Sequence, residues 1–129
     1  MVASNVDVVR SLFDRFASGS IEAALELMSE DLVVVVPPSM SAEPDTYQGH
    51  EGVRRYFAGF DGQLDDVRFE PLELIDEGDR VIAALRLTGR GTTSGIEVEQ
   101  RAASVLELRD GKVVRIESHP DVEAARRPG

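Results

Sequence analysis

An α+β fold, with helices packed on one face of an antiparallel sheet, is predicted by three features of this 129-residue sequence. Apolar residues recur at helical spacing through the first half of the chain, up to Phe60. From residue 67 onward the period switches to two, the signature of half-buried strands. Turn signals, the last being Asp110-Gly111, divide that second half into strands, so helices come first and a meander follows.

Ser4 is placed to cap a first helix, with Asp7 at its third position suiting the positive N-terminal end. Val6, Val9, Phe13, Phe16 and Ala17 then share one face. Gly19 supplies the residue past the helix end. Ser20 caps a second helix carrying Ala24, Leu25, Leu27, Met28 and Leu32 and ending near Asp31. Val33 to Val36 is β-branched throughout and stops at Pro37-Pro38, which predicts a short buried strand. Residues 37–48, with three prolines, predict the longest loop, of a length often used for functional lids. Gly49-His50 opens a third helix whose stripe is Val53, Tyr56, Phe57 and Phe60.

Val67 to Ile75 predicts a strand, broken by Glu77-Gly78-Asp79. Val81 to Arg90 follows, with Val81, Ala83, Leu85 and Leu87 on one face and Arg86, Thr88 and Arg90 on the other. After the turn at 91–95, Val98 to Arg109 places Val98, Ala102, Leu106 and Leu108 on a face shared with Gln100 and Ser104. In the last strand Val114, Ile116 and Ser118 match that face, while Arg115, Glu117 and His119 alternate with them. One sheet face is therefore expected to be core and the other charged. Asp-Gly between alternating apolar runs is a strong hairpin signal, because Gly tolerates the positive φ such turns need. Pro120 lacks an N–H, so pairing should falter there and release Asp121 from the sheet. Long twisted sheets curl, and three helices need not fill the curl, so a one-ended cavity is expected.

The chain reads as one domain, 1–129, with a core from about 6 to 125. Its apolar runs, of which Leu32 to Val36 is as long as any, are too short to span a membrane. No basic start followed by a cleavable apolar segment appears, and there are no cysteines; a cytoplasmic protein is expected. The formal charge of −10 repels nucleic acid and anionic lipid, so neither is an expected partner. With seven aromatic residues and no Trp, any pocket should be mainly aliphatic. Two widely separated histidines argue against a metal site, no Gly-rich phosphate cradle is present, and no cofactor is expected.

Four segments, in order, carry a family resemblance: Gly19 to Val34 (Gly-Ser-Ile-Glu-Ala-Ala-Leu-Glu-Leu-Met-Ser-Glu-Asp-Leu-Val-Val), Gln48 to Arg54 (Gln-Gly-His-Glu-Gly-Val-Arg), Glu77 to Val81 (Glu-Gly-Asp-Arg-Val) and Arg109 to Val113 (Arg-Asp-Gly-Lys-Val). Each alone mostly encodes caps and turns, but together the chain from about Val6 to Ala125 resembles the SnoaL-like branch of the nuclear transport factor 2-like superfamily. The resemblance implies a cone: three N-terminal helices packed on a curved, mainly antiparallel sheet enclosing a hydrophobic pocket. It also implies a homodimer formed through the sheet. The family holds polyketide cyclases, steroid isomerases, dehydratases, epoxide hydrolases and non-catalytic binders, so the fold does not fix the function.

Asp121 corresponds to the place where polyketide-cyclase members put their acid/base carboxylate. A carboxylate at the lip of an apolar pocket is desolvated and becomes a better base. The rival reading is that Asp121 caps a terminal helical turn, Val122 to Arg126. His119 would polarise a carbonyl, yet its alternation puts it on the charged face unless Pro120 twists the strand end. His50 serves either the pocket mouth or a helix N–H. Gln100 and Ser104, polar on an apolar face, must find a partner, either a ligand or water in the pocket or a local bond. Tyr47 and Tyr56 offer phenols to a ligand, with core packing as the alternative for Tyr56.

Two departures narrow the enzymatic options. The strand position before a proline, where steroid isomerases of this fold keep their base, is Val36, and Leu12, Phe13 and Phe16 offer no helix-one phenol. The Asp-Arg-Asp set that epoxide-hydrolase-like members need has no counterpart on the core-facing strand positions. What the residues favour is a pocket protein for a small hydrophobic ligand. Behind it stand a cyclase or isomerase using Asp121 and His119, and a dimeric interaction module drawing on the charged face.

Overall fold

The structure is a computed structural model that describes residues 4–36, 45–59 and 62–126. Helix α1 (Asn5–Ala17) begins where expected, with the Ser4 hydroxyl accepting the Asp7 N–H at 3.1 Å. It ends at Gly19, whose φ of +87° lets the chain turn back, with Gly19 N–H donating to the Phe16 carbonyl. Helix α2 (Ile21–Leu25) is capped by Ser20 through the Ala23 N–H.

Helix α2 is shorter than the apolar pattern suggested. Met28 and Leu32 belong to strand β1 (Met28–Val36), and both are buried. Leu25, Met28 and Leu32 are spaced like a helical stripe. Met28, Leu32 and Val34 are alternate positions of β1 and so turn inward together, although the pairing with the last strand is irregular between Met28 and Val33. Helical period and a bulged strand look alike at this length.

Strand β2 (Asp45–Gln48) occupies the end of the stretch expected to be loop, pairing antiparallel with Val33–Val36. The rest of that expected lid, 37–44, lies outside the described residues, as do Phe60 of the predicted stripe and the tail after Arg126. Helix α3 (Gly49–Ala58) packs against β1 and β2. Gly52 permits that approach: a Cβ there would lie 2.9 Å from the Tyr47 carbonyl carbon. Arg54 joins α3 to α2 by bonding Glu22 at 2.8 Å, and also bonds Glu51.

Strands β3 (Leu64–Asp76), β4 (Arg80–Gly91), β5 (Glu97–Arg109) and β6 (Lys112–His119) form the expected meander. They extend to a six-stranded sheet in the order β2-β1-β6-β5-β4-β3, antiparallel throughout except for the parallel β1–β6 pair. Pro71 is accommodated because β3 is an edge strand. At the β5–β6 turn, Asp110 and Gly111 have φ of 53° and 76°, the paired positive values of a tight hairpin.

A bulge corrects the facing of β6. Glu107 pairs with Arg115 but Leu108 pairs with Val113, which leaves Val114 as the extra residue. Val113, not Val114, is then fully buried, while Ile116 and Ser118 keep the inward face.

The core lies between α1, α2, α3 and one sheet face, around Val9, Leu12, Leu32, Val81 and Leu106. The opposite face is not purely charged, contrary to the alternation argument. At one end Ile82, Ala103 and Val105 are buried there beneath Ala125 of helix α4 (Val122–Arg126), with Val122 and Ile75 alongside. Elsewhere it carries the expected ion pairs, such as Arg86 with Glu99 at 3.4 Å and Arg115 with Glu117 at 3.2 Å. Exposed pairs of this kind orient side chains more than they stabilise. No helix among the described residues is long and apolar enough to cross a membrane.

Candidate functional site

A cavity of about 80 Å3 lies between the helices and the inward face of the sheet. Helix α1 contributes Leu12, Phe13 and Phe16, because an i, i+1, i+4 set covers one helical face. Helix α3 contributes Val53, Tyr56 and Phe57, an i, i+3, i+4 set that likewise covers one face. The sheet closes the other side with Met28 and Val34 of β1, Phe69 of β3 and Leu85 of β4. Alternate residues of the two central strands complete the floor: Ser104 and Leu106 of β5, Ile116 and Ser118 of β6.

Among the described residues the lining holds no carboxylate, guanidinium, ammonium or imidazole. Its polarity is confined to the hydroxyls of Tyr56, Ser104 and Ser118. Burial pushes the Tyr56 phenol above its ordinary pKa, with the neighbouring Tyr47 phenol adding to the effect. Tyr56 is therefore neutral at physiological pH, a hydrogen-bonding group and not a base. Ser104 is the buried polar residue of the fold, 8% exposed.

Phenylalanines form the wall toward the groove between α1 and β3. Phe16 and Phe57 approach at 5.2 Å between ring centroids, and Phe57 meets Phe69 edge-on at 5.8 Å. The same rings border that outer groove, which is much larger, at about 650 Å3. Phe13, Phe16, Phe57 and Phe69 line both spaces.

Of the residues singled out from sequence, Tyr56 and Ser104 reach this cavity. Tyr47 stands behind it: its ring meets Tyr56 edge-on at 5.4 Å, and the Arg55 guanidinium sits 4.3 Å from its centroid on the other side. His50 does not line the cavity. Its Nε2 lies 3.0 Å from the Met28 carbonyl, which can only accept, so Nε2 carries the proton and pins the start of α3 to β1.

Gln100 shares the inward row, opposite Leu87, but is exposed. The β4–β5 hairpin extends beyond the helices that would cover it, and Val98 on the same row is 45% exposed. Gln100 is therefore not among the residues that line the cavity.

Asp121 lies outside the cavity and is exposed. Its Oδ1 accepts the Ala124 N–H at 2.8 Å, while its carbonyl accepts the Ala125 N–H, which makes it the cap of α4. His119 stands opposite Ala103, on the sheet face away from the cavity, 3.9 Å from Glu117. Asp121 and His119 thus remain near one another but are turned from the enclosed space.

Sequence reasoning passed over two parts of the site. Ser118 was on the inward face by its period-two relation to Ile116, and that alternation was the available signal. Met28 was hidden by the helical spacing of its neighbours. Among the described residues no cluster of three His, Asp or Glu side chains is arranged to hold a metal ion.

Comparison with known proteins bears on this cavity. A model described as SnoaL-like domain matches residues 9–116. No curated protein matches the chain. Among solved structures the chain is similar to TerC co-crystallised with polyporic acid, at 27% identity and a TM-score of 0.81, covering 94% of each chain. It is similar also to a nuclear transport factor 2-like protein of unknown function from Burkholderia pseudomallei K96243, at 20% identity and a TM-score of 0.81, covering 98% of this chain and all of that one. A putative polyketide cyclase from Sinorhizobium meliloti matches at 24% identity with a TM-score of 0.66, over 88% of this chain and 94% of that one.

Proposed function

The chain belongs to the SnoaL-like domain family, and from that premise we propose that it binds a small hydrophobic metabolite in the cavity between its helices and sheet. The observation that carries this reading is a lining that is apolar apart from three hydroxyls and has no charged group. Water in such a space gains few hydrogen bonds, so an apolar occupant displaces it at little cost. The similarity to TerC, which was crystallised with polyporic acid, supports a small organic ligand.

The cyclase or isomerase reading rests on Asp121 as general acid/base. Its support is the family and the likeness to a putative polyketide cyclase, not the geometry, since Asp121 caps α4 in solvent. A base must come within hydrogen-bond reach of the proton it takes. A ligand in the cavity lies across the sheet from His119, and among the described residues no other titratable base borders it.

Calorimetric titration with benzene tests the proposal. The wild-type protein should bind it, and Leu85→Phe, which fills the cavity from the sheet side, should abolish binding while circular dichroism stays unchanged. Equal binding by both proteins would place the ligand elsewhere and overturn the reading.

A further inference from the structure

Resting on that pocket reading, we infer that the cavity selects a neutral, single-ring ligand bearing one hydroxyl or carbonyl oxygen, held by Ser104 and Ser118. The two serines are direct cross-strand partners, Ser104 of β5 opposite Ser118 of β6, and both line the cavity. Side chains directly opposed on one sheet face start about 5 Å apart. Two hydroxyls so placed can converge on a single ligand oxygen.

Neither hydroxyl makes a hydrogen bond to a protein group among the described residues. Ser104 is only 8% exposed, and its hydroxyl faces the cavity with no protein partner among the described residues. Buried polar groups almost always have one, so an unpaired hydroxyl on a cavity wall points to whatever occupies the cavity. The remaining lining around the pair is Leu85, Leu106 and Ile116, which offers no competing acceptor from a side chain.

Charge and size narrow the class further. An anionic ligand would lose its hydration and meet no cation in the lining. A hydroxyl or carbonyl loses less, and the serines replace what it loses. The volume of about 80 Å3 is smaller than an engineered apolar cavity of about 150 Å3 that takes up benzene. A single ring therefore fits with modest movement of the phenylalanine wall, whereas a fused ring system requires that wall to be displaced.

Benzene, phenol and benzoate, titrated calorimetrically into wild type, S104A, S118A and the double variant, test the assignment. Phenol pays more than benzene to leave water, so a preference for phenol requires a partner inside the cavity. Wild type should bind phenol roughly tenfold tighter than benzene, the scale of one net hydrogen bond, and benzoate at least about a hundredfold weaker than phenol. The double variant should bind benzene as wild type does and prefer it to phenol, with the single variants between. Benzene binding in every protein alongside an unchanged phenol preference in the double variant would overturn the serine assignment and leave the pocket reading standing. Benzoate bound as tightly as phenol would overturn the claim of neutrality. Failure of both benzene and phenol to bind wild type would overturn the pocket reading, and this inference with it.

Discussion

Tyr56 is the ionisable side chain of the cavity wall, and its environment fixes which form it takes. Burial disfavours the phenolate, and the Tyr47 phenol alongside adds to that, so the folded-state pKa lies above the ordinary 10.0. A group whose folded value is raised contributes stability that is complete below its unfolded pKa and is lost as pH rises through the folded one. The contribution should therefore hold at neutral pH and fade in the alkaline range. In Tyr47→Phe, Tyr56 is the sole remaining phenol. Its absorbance titration should then have a midpoint above 10.0. A midpoint at or below that value would mean that the ring is not buried as described.

The serines differ from Tyr56 in what they reveal. Tyr56 was visible in the sequence as part of a helical stripe, where core packing and a ligand role look the same. Ser104 broke an apolar row, and that was a readable anomaly, because a polar residue on such a row needs a partner. Ser118 carried the same information, but its importance depends on sitting across from Ser104, a relation set by β5–β6 register and not by local sequence.

At the scale of elements, α4 decides the standing of Asp121. The helix is five residues long and places Ala125 over Ile82, Ala103 and Val105. With so little length its geometry depends on its cap. Asp121→Ala should cost on the order of 1 kcal/mol in urea unfolding, the usual value of an N-cap side chain. Ligand affinity should be unchanged, because the carboxylate does not border the cavity. A stability cost near zero together with weakened benzene binding would reverse this assignment and return Asp121 to the site.

Elements governed by local chemistry were legible in advance. Ser4, Ser20 and Gly19 each act within four residues, and Asp110-Gly111 specifies its own turn. Errors arose where a distant strand set the outcome. Met28, paired with Val113 of β6, and Leu32 belong to β1 and not to a helix, and Val114 was displaced by a bulge opposite Leu108. Thr46 and Tyr47 joined an edge strand because Val34 and Val35 offered a partner, which a proline-rich context concealed. Gln100 was placed on the correct row, but its exposure depends on how far the helices extend over the sheet.

Across the whole molecule, the helices and the inward sheet face enclose the cavity, while α4 and the ion pairs occupy the opposite face. This division gives the protein one apolar interior facing the helices and a separate small cluster behind the sheet. A fold does not fix a ligand, so ligand identity rests on the few polar groups set into the cavity. Here those groups are neutral hydroxyls, and the wall nearest the outer groove is made of phenylalanine rings.

The central claim, that this interior is where a small apolar ligand goes, is tested most directly by methyl-detected NMR during titration with benzene. Methyl signals of Leu12, Val53, Leu85, Leu106 and Ile116, which line the cavity, should shift together and saturate with one dissociation constant. Those of Ile82, Val105 and Val122, behind the sheet, should stay in place. Shifts confined to the second group, or no saturable shift in the first, would contradict the account.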